Sequence, residues 1–158
     1  MKEAMIQIDR FQPFDLANLC CGEGYYTVAD NETDLRSTAL KNLDLTKVRF
    51  VTMLKDGELC IKGEEKLKRL KSAGHIRLDA SIFWTLWMNE HLIPESWKKK
   101  ASKKRATRFI HFDGTIFLDQ NGLCHVPCLY YEHSEWHWCT DYLGSICGVD
   151  DPSAVLKV

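Results

Sequence analysis

Up to about residue 97 the apolar residues of this chain recur at helical spacing or in short runs; from Phe109 onward they alternate. A repeat of two sends successive side chains to opposite faces of a strand, so the C-terminal third has to be sheet. Phe109-Ile110-His111-Phe112 and Thr115-Ile116-Phe117-Leu118 flank Asp113-Gly114. That dipeptide between apolar runs favours a two-residue type I′ turn with Gly114 at positive φ. Asn121-Gly122 repeats the signal, and His133 to Glu135 supplies a third reversal. The expectation is a four-stranded antiparallel meander over about 107–142. Ile110, Phe112, Phe117, Val126, Cys128, Tyr130 and Cys139 then share one face, and Phe109, Ile116, Leu118, Leu129, Tyr131, Trp136 and Trp138 the other. Both faces are apolar, so both must be covered.

The covering elements are read upstream. Met5 to Phe11 alternates like a short strand, Cys20-Cys21-Gly22-Glu23-Gly24 reads as a turn, and Thr33 to Leu43 has helical spacing with Thr33 or Asp34 as cap. Val48 to Leu54 and Leu59-Cys60-Ile61 flank Lys55-Asp56-Gly57, the pattern of a hairpin. Glu64 to Ala73 is a helix with acids in its first turn, bases later and Gly74 after it, with Leu67 and Leu70 alone facing inward. Asp79 caps a second, nearly all-round apolar helix from Ala80 to about Leu92, stopped by Pro94. That helix covers one face of the meander; the other needs the N-terminal third of the chain or a partner. The fold class is α+β: short helices packed on a C-terminal four-stranded antiparallel β-meander. It forms a single domain, 1–158, made of an N-terminal segment (1–43), a hairpin and two helices (44–97), a basic connector (98–106), the meander (107–142) and a tail (143–158).

Length and charge narrow the function. At 158 residues and 45% hydrophobic content the chain can bury a core without disulfides or metal. Its seven cysteines are an odd number, and MKEAMIQIDRF lacks the apolar stretch of a secretory signal. Reduced thiols and a cytoplasmic address are expected, with no membrane span because the longest apolar run, Ile82 to Met88, is short. The net charge of −1 hides an asymmetry: six of the 21 basic residues lie between Lys98 and Arg105 with no acid among them. The other 150 residues therefore carry 15 bases against 22 acids, a balance of −7.

From about Leu43 to the C-terminus the chain carries GEEKLKRLKSAGHIRLDA, HLIPESWK, HFDGT and PSAVL. In these motifs it resembles an uncharacterised bacterial family associated with small-genome candidate-phylum bacteria. The resemblance implies a bacterial origin, and no activity, cofactor or catalytic residue comes with it.

Three constellations invite chemistry. The run from Phe109 to Thr115 resembles the haloacid-dehalogenase phosphatases, in which a hydrophobic strand precedes D-x-D-G-T. Here His111 stands where that family has its nucleophilic aspartate, and a neutral imidazole cannot form the acyl-phosphate. Cys124, Cys128, His133, His137 and Cys139 have the outer spacings of a zinc site. In one strand, however, Cys124 and Cys128 stand about 13 Å apart, against the roughly 4 Å that two thiolates on one ion allow. A turn near Ser134 places Cys128 opposite Cys139 and Tyr130 opposite His137, and packed strand residues explain all of them. The two helices and following hairpin have the order of a winged helix-turn-helix, but Ala80 to Leu92 carries no Lys or Arg to enter a groove. No catalytic residue, metal ligand or cofactor is therefore expected.

The expected function is a non-enzymatic, cytoplasmic, macromolecule-binding module with a protein partner. The partner is engaged through sheet aromatics, Tyr131, Trp136 and Trp138, or through a sheet edge. Nucleic-acid binding through Lys98, Lys99, Lys100, Lys103, Lys104 and Arg105 is the alternative, and an enzyme whose site is assembled from distant residues is the second.

Overall fold

The computed structural model describes residues 4–10, 26–98 and 109–158; the turn expected at Cys20–Gly24 and the basic stripe from Lys99 to Arg105 lie outside the described residues. Along the chain run β1 (Met5–Gln7), β2 (Thr27–Val28), α1 (Leu35–Thr38), β3 (Asn42–Asp44), β4 (Val48–Val51) and β5 (Cys60–Lys62). Then come α2 (Gly63–Ala73), β6 (Ile76–Arg77), α3 (Ala80–Met88), β7 (Ile110–His111) and β8 (Phe117–Leu118). β9 (Cys124–Glu132), β10 (Glu135–Tyr142), β11 (Ile146–Gly148) and β12 (Ser153–Leu156) complete it. The class is α+β with short helices, as expected. The sheet is larger than a four-stranded meander: eight strands are joined, in the order β2-β8-β9-β7-β12-β4 with β10 on β9 and β6 on β12. It is also mixed, because β12 and β7 pair in parallel.

The Asp113-Gly114 turn accounts for much of the difference. β7 and β8 do not form a hairpin; both lie antiparallel on one edge of β9, at Ile110↔Leu129 and His111↔Cys128, then Phe117↔His125 and Leu118↔Cys124. The Phe112 N–H still reaches Pro127 O, at 3.0 Å. Residues 113–116 thus loop out opposite Val126, a wide bulge in one interrupted strand. Gly114 is not in the left-handed region that Gly57, Gly74 and Gly122 occupy. The bulge is held by partners no local pattern reveals. Gly114 N–H donates to Leu78 O at 2.8 Å, and Gly114 O accepts from Asp34 N–H at 2.9 Å. Thr115 Oγ1 accepts from Ala80 N–H, and Asp113 O accepts from the buried Arg77 guanidinium. Glycine is required there by close approach, since a Cβ at 114 would lie 2.3 Å from Arg77 O.

Removing the hairpin shifts the faces. Ile110, Phe112 and Phe117 join Leu129, Tyr131, Trp136 and Trp138 in the main core under α3, whose Phe83 ring centroid lies 5.7 Å from that of Phe112 and 6.2 Å from that of Trp138. Ile116 and Leu118 instead join Val126, Cys124 and Leu143 against Leu67 of α2. Within each half the expected partition holds; the halves are joined one residue out of step, which flips one relative to the other. Both faces are covered by this chain's own helices.

Other differences have the same origin in distant partners. β4 pairs with β12 and β5 with β11, so the expected Val48–Ile61 hairpin does not form. Its turn does: Glu58 N–H donates to Lys55 O, Gly57 has φ 84°, and Arg69 of α2 ties the loop down through Glu58 and Met53 O. A two-stranded ribbon buries little, whereas β4 beside β12 is flanked by core. The segment 143–158, expected as a tail, supplies β11 and β12. Thr33–Leu43 is helical only at α1, capped by Asp34, before β3 turns to pair with β1. α2 ends at Gly74 as expected; α3 begins on Asp79 as expected and stops at Met88, four residues early.

Candidate functional site

β9 and β10 form a hairpin whose register begins at Glu132↔Glu135 and runs to His125↔Tyr142. Its two-residue loop, His133-Ser134, has φ 51° and 65°, the positive pair of a type I′ turn. The pair closing such a loop is hydrogen-bonded, and bonded and non-bonded pairs alternate from there. Glu135, His137, Cys139 and Asp141 therefore turn their backbone groups toward β9. Trp136, Trp138, Thr140 and Tyr142 turn theirs outward. Pro127, opposite Thr140, fits this phase: it sends its carbonyl away from β10 to Phe112 and has no N–H to lose. Among the described residues no strand pairs with the outer edge of β10. The partners on that side, among the described residues, fall at Tyr142, whose carbonyl accepts from the Ser145 N–H at 2.9 Å and whose N–H donates to the Asp141 carboxylate.

The aromatics read from the sequence lie beside this edge, though not as an open platform. Trp136 is buried, Trp138 is half-buried against Phe83, and Tyr131 packs edge-on to Trp136. Lys98 lies over the Tyr131 ring, 4.8 Å from its centroid, and pairs with Glu95 at 2.9 Å. This one described member of the basic stripe is thus engaged with an acid and a ring. Lys99, Lys100, Lys103, Lys104 and Arg105 lie outside the described residues.

On the opposite face of the hairpin a polar centre lies beneath α2, reached from solvent only at Asp141 among its members. Lys66 is fully buried, with Nζ 2.6 Å from His111 Nδ1 and 3.0 Å from Asp151 O. His111 Nε2 lies 3.1 Å from Asp141 Oδ2 but is not oriented along a hydrogen bond, and has no hydrogen-bond partner. Cys147 of β11 completes a group whose ligand atoms all lie within 4.8 Å of one another: His111, Asp141 and Cys147. Ser153 Oγ donates to Asp113 Oδ2 at the edge of this centre, and both residues are buried. Burial pushes the Cys147 thiol up to about 11, and burial, with Cys139 close by, pushes Cys128 well above its ordinary value. Burial also raises Asp141, but its contact with His111 and the charge of Lys66 outweigh it and hold the carboxyl below the ordinary value.

Sequence reasoning missed this centre. The one legible signal is Lys66 itself: Gly63, Lys66, Leu67 and Leu70 follow helical spacing, so a lysine stands on the inner stripe of α2. His111, Asp141 and Cys147 come from three strands, His111 some thirty residues before the other two, and carry no joint pattern. The register does set Cys128 opposite Cys139 and Tyr130 opposite His137, as a turn near Ser134 requires. Neither of the larger cavities, about 860 Å³ beside Arg69 and His75 and about 560 Å³ beside Ile93 and Pro94, is lined by the polar centre. No helix among the described residues is long and apolar enough to cross a membrane. Compared with protein-family models, curated proteins and solved structures, the chain matches none.

Proposed function

We propose that the protein is a non-enzymatic, cytoplasmic binding module that takes up an extended segment of a partner protein along the outer edge of β10. The observation that carries this reading is the row of backbone groups at Trp136, Trp138 and Thr140, with which no strand among the described residues pairs, on a strand fixed along its whole inner side by β9. Such an edge is a template for strand addition, in which main-chain bonds give affinity and alternate side chains give selectivity. Of the two surfaces expected from the sequence, the edge is favoured over the aromatic face, because Trp136 is buried and Tyr131 lies under Lys98. An incoming strand runs beside half-buried Trp138 and Thr140 on one face and exposed Glu135 on the other. The matching segment alternates apolar and polar residues and sets a basic side chain beside Glu135, cross-strand pairs of this kind contributing roughly 0.2–1 kcal/mol each.

The test is selection of displayed random peptides on the purified protein, followed by Thr140→Pro. Proline at 140 removes an outward N–H and no bond to β9, a position an edge strand tolerates. The selected peptides are expected to show that alternation. They should bind the variant at least ~10-fold more weakly while its unfolding midpoint moves by less than about 1 kcal/mol equivalent. Peptides that bind the proline variant equally well contradict the reading. So does tight nucleic-acid binding at physiological salt that is lost when the six bases of 98–105 become Ser, which would make nucleic acid the partner.

A further inference from the structure

We propose that His111 Nε2, Asp141 Oδ2 and Cys147 Sγ form a zinc site with one open position, set under the β9–β10 hairpin. The inference is independent of the edge-binding reading. It starts from His111, 1% exposed, whose Nε2 is sealed from solvent and has no hydrogen-bond partner although a carboxylate oxygen lies 3.1 Å away. A ring N–H bonding to that oxygen would point along the line between them. Two ligands of one ion do not; their lone pairs converge on a point to the side. Nitrogen and oxygen ligands of a tetrahedral zinc, at about 2.0–2.1 Å from it, stand roughly 3.3 Å from each other, close to the spacing here. The Cys147 sulfur falls within 4.8 Å of both, so small side-chain movements bring it to the roughly 3.5 Å that a Zn–S bond of about 2.3 Å implies.

The donor set narrows the ion. One imidazole, one carboxylate and one thiolate suit zinc, and the sulfur disfavours magnesium and calcium. The ion replaces the Cys147 proton, which leaves to solvent, and the charges of Asp141 and the new thiolate balance its two positive charges. With Nε2 on the ion, Nδ1 carries the ring proton and donates it across the 2.6 Å contact to Lys66 Nζ, which accepts as a neutral amine once its own displaced proton has left to solvent. Lys66, also bonded to Asp151 O, is thus a positioning residue that fixes the ring from behind. Asp141, whose side chain is 33% exposed, gives the ion its way in from solvent and leaves a fourth position for water.

The full chain, stripped with chelator, is titrated with Zn²⁺ and with Co²⁺. One equivalent of each is expected to bind, and Co²⁺ should develop a near-ultraviolet thiolate charge-transfer band together with intense tetrahedral visible bands. Asp141→Asn and Cys147→Ser, checked for native circular dichroism, should each weaken Zn²⁺ at least ~100-fold, and Cys147→Ser should abolish the charge-transfer band. Lys66→Met should weaken it by ~10–100-fold, the range typical of outer-sphere partners. Cys139→Ser should leave affinity unchanged. A wild-type chain that takes up no Zn²⁺ and gives no cobalt band overturns the site, whatever the variants do. Loss of binding in Cys139→Ser with retention in Asp141→Asn also overturns it, moving the ion along the same face to Cys128, Cys139 and His137.

Discussion

Gly114 and Gly122 show how two glycines of similar sequence context answer to different physics. Gly122 has φ 78° and nothing within 4 Å of where a Cβ would stand, so its cost on substitution is backbone strain alone. Gly114 has an ordinary φ and no room, with the backbone of Arg77 and Leu78 inside 3 Å. Gly114→Ala should therefore destabilise by ~2 kcal/mol or more through forced separation of two backbones, and Gly122→Ala by about 1 kcal/mol. Denaturant midpoints of the two variants measure the difference, and equal losses would restore a strained turn at Gly114. Asp34 makes a second, pH-resolved prediction. It is nearly buried and accepts hydrogen bonds from the Arg36 side chain and from the backbone N–H groups of Arg36 and Arg77. Burial alone raises its pKa, but those bonds outweigh it and hold the folded value below the ordinary 3.8. A depressed folded value stabilises the protein above the unfolded pKa and is lost as pH falls through the folded one. The stability gap between wild type and Asp34→Asn should be constant above pH 3.8 and shrink below it. A gap that persists unchanged into stronger acid contradicts the role of the charge.

Among the elements, what the sequence made legible is what short-range chemistry decides. α2 and α3 start and stop on caps, acids and a glycine that act within one turn, so their N-terminal ends and the end of α2 are readable from residues 63–80. The β9–β10 hairpin is readable because its two-residue turn fixes its register, and with it the row of backbone groups that defines the candidate edge. Asp113-Gly114 carries an equally strong local signal and still gives a bulge. Its backbone is claimed by Leu78, Asp34 and Ala80, partners up to about eighty residues distant that no window of sequence contains. β4, β5, β11 and β12 fall under the same heading: each is too short to specify a partner, and its pairing is settled by what else lines the core. The polar centre is the extreme case, assembled from α2, β7, β10 and β11, and only Lys66 on an inner helical stripe betrays it in the sequence.

For the molecule as a whole, the chain's own helices cover both faces of the sheet, α3 through Phe83 and α2 through Leu67, so a partner is not needed to complete a face. What remains open among the described strands is a set of edges, at β2 and β4, at the two ribbons and at β10, of which β10, with eight residues, is the longest. β12, close to the C-terminus, is enclosed by β4, β6 and β7, while β10 is held by β9 on one side and by no strand on the other. Amide hydrogen exchange along residues 135–142 tests the openness of β10 most directly. In the free protein the amides of Trp136, Trp138 and Thr140 should exchange fast and those of His137, Cys139 and Asp141 slowly, and a selected peptide should slow the first three. Outward amides that are already as protected as the inward ones, or that keep exchanging fast with peptide bound, would contradict it.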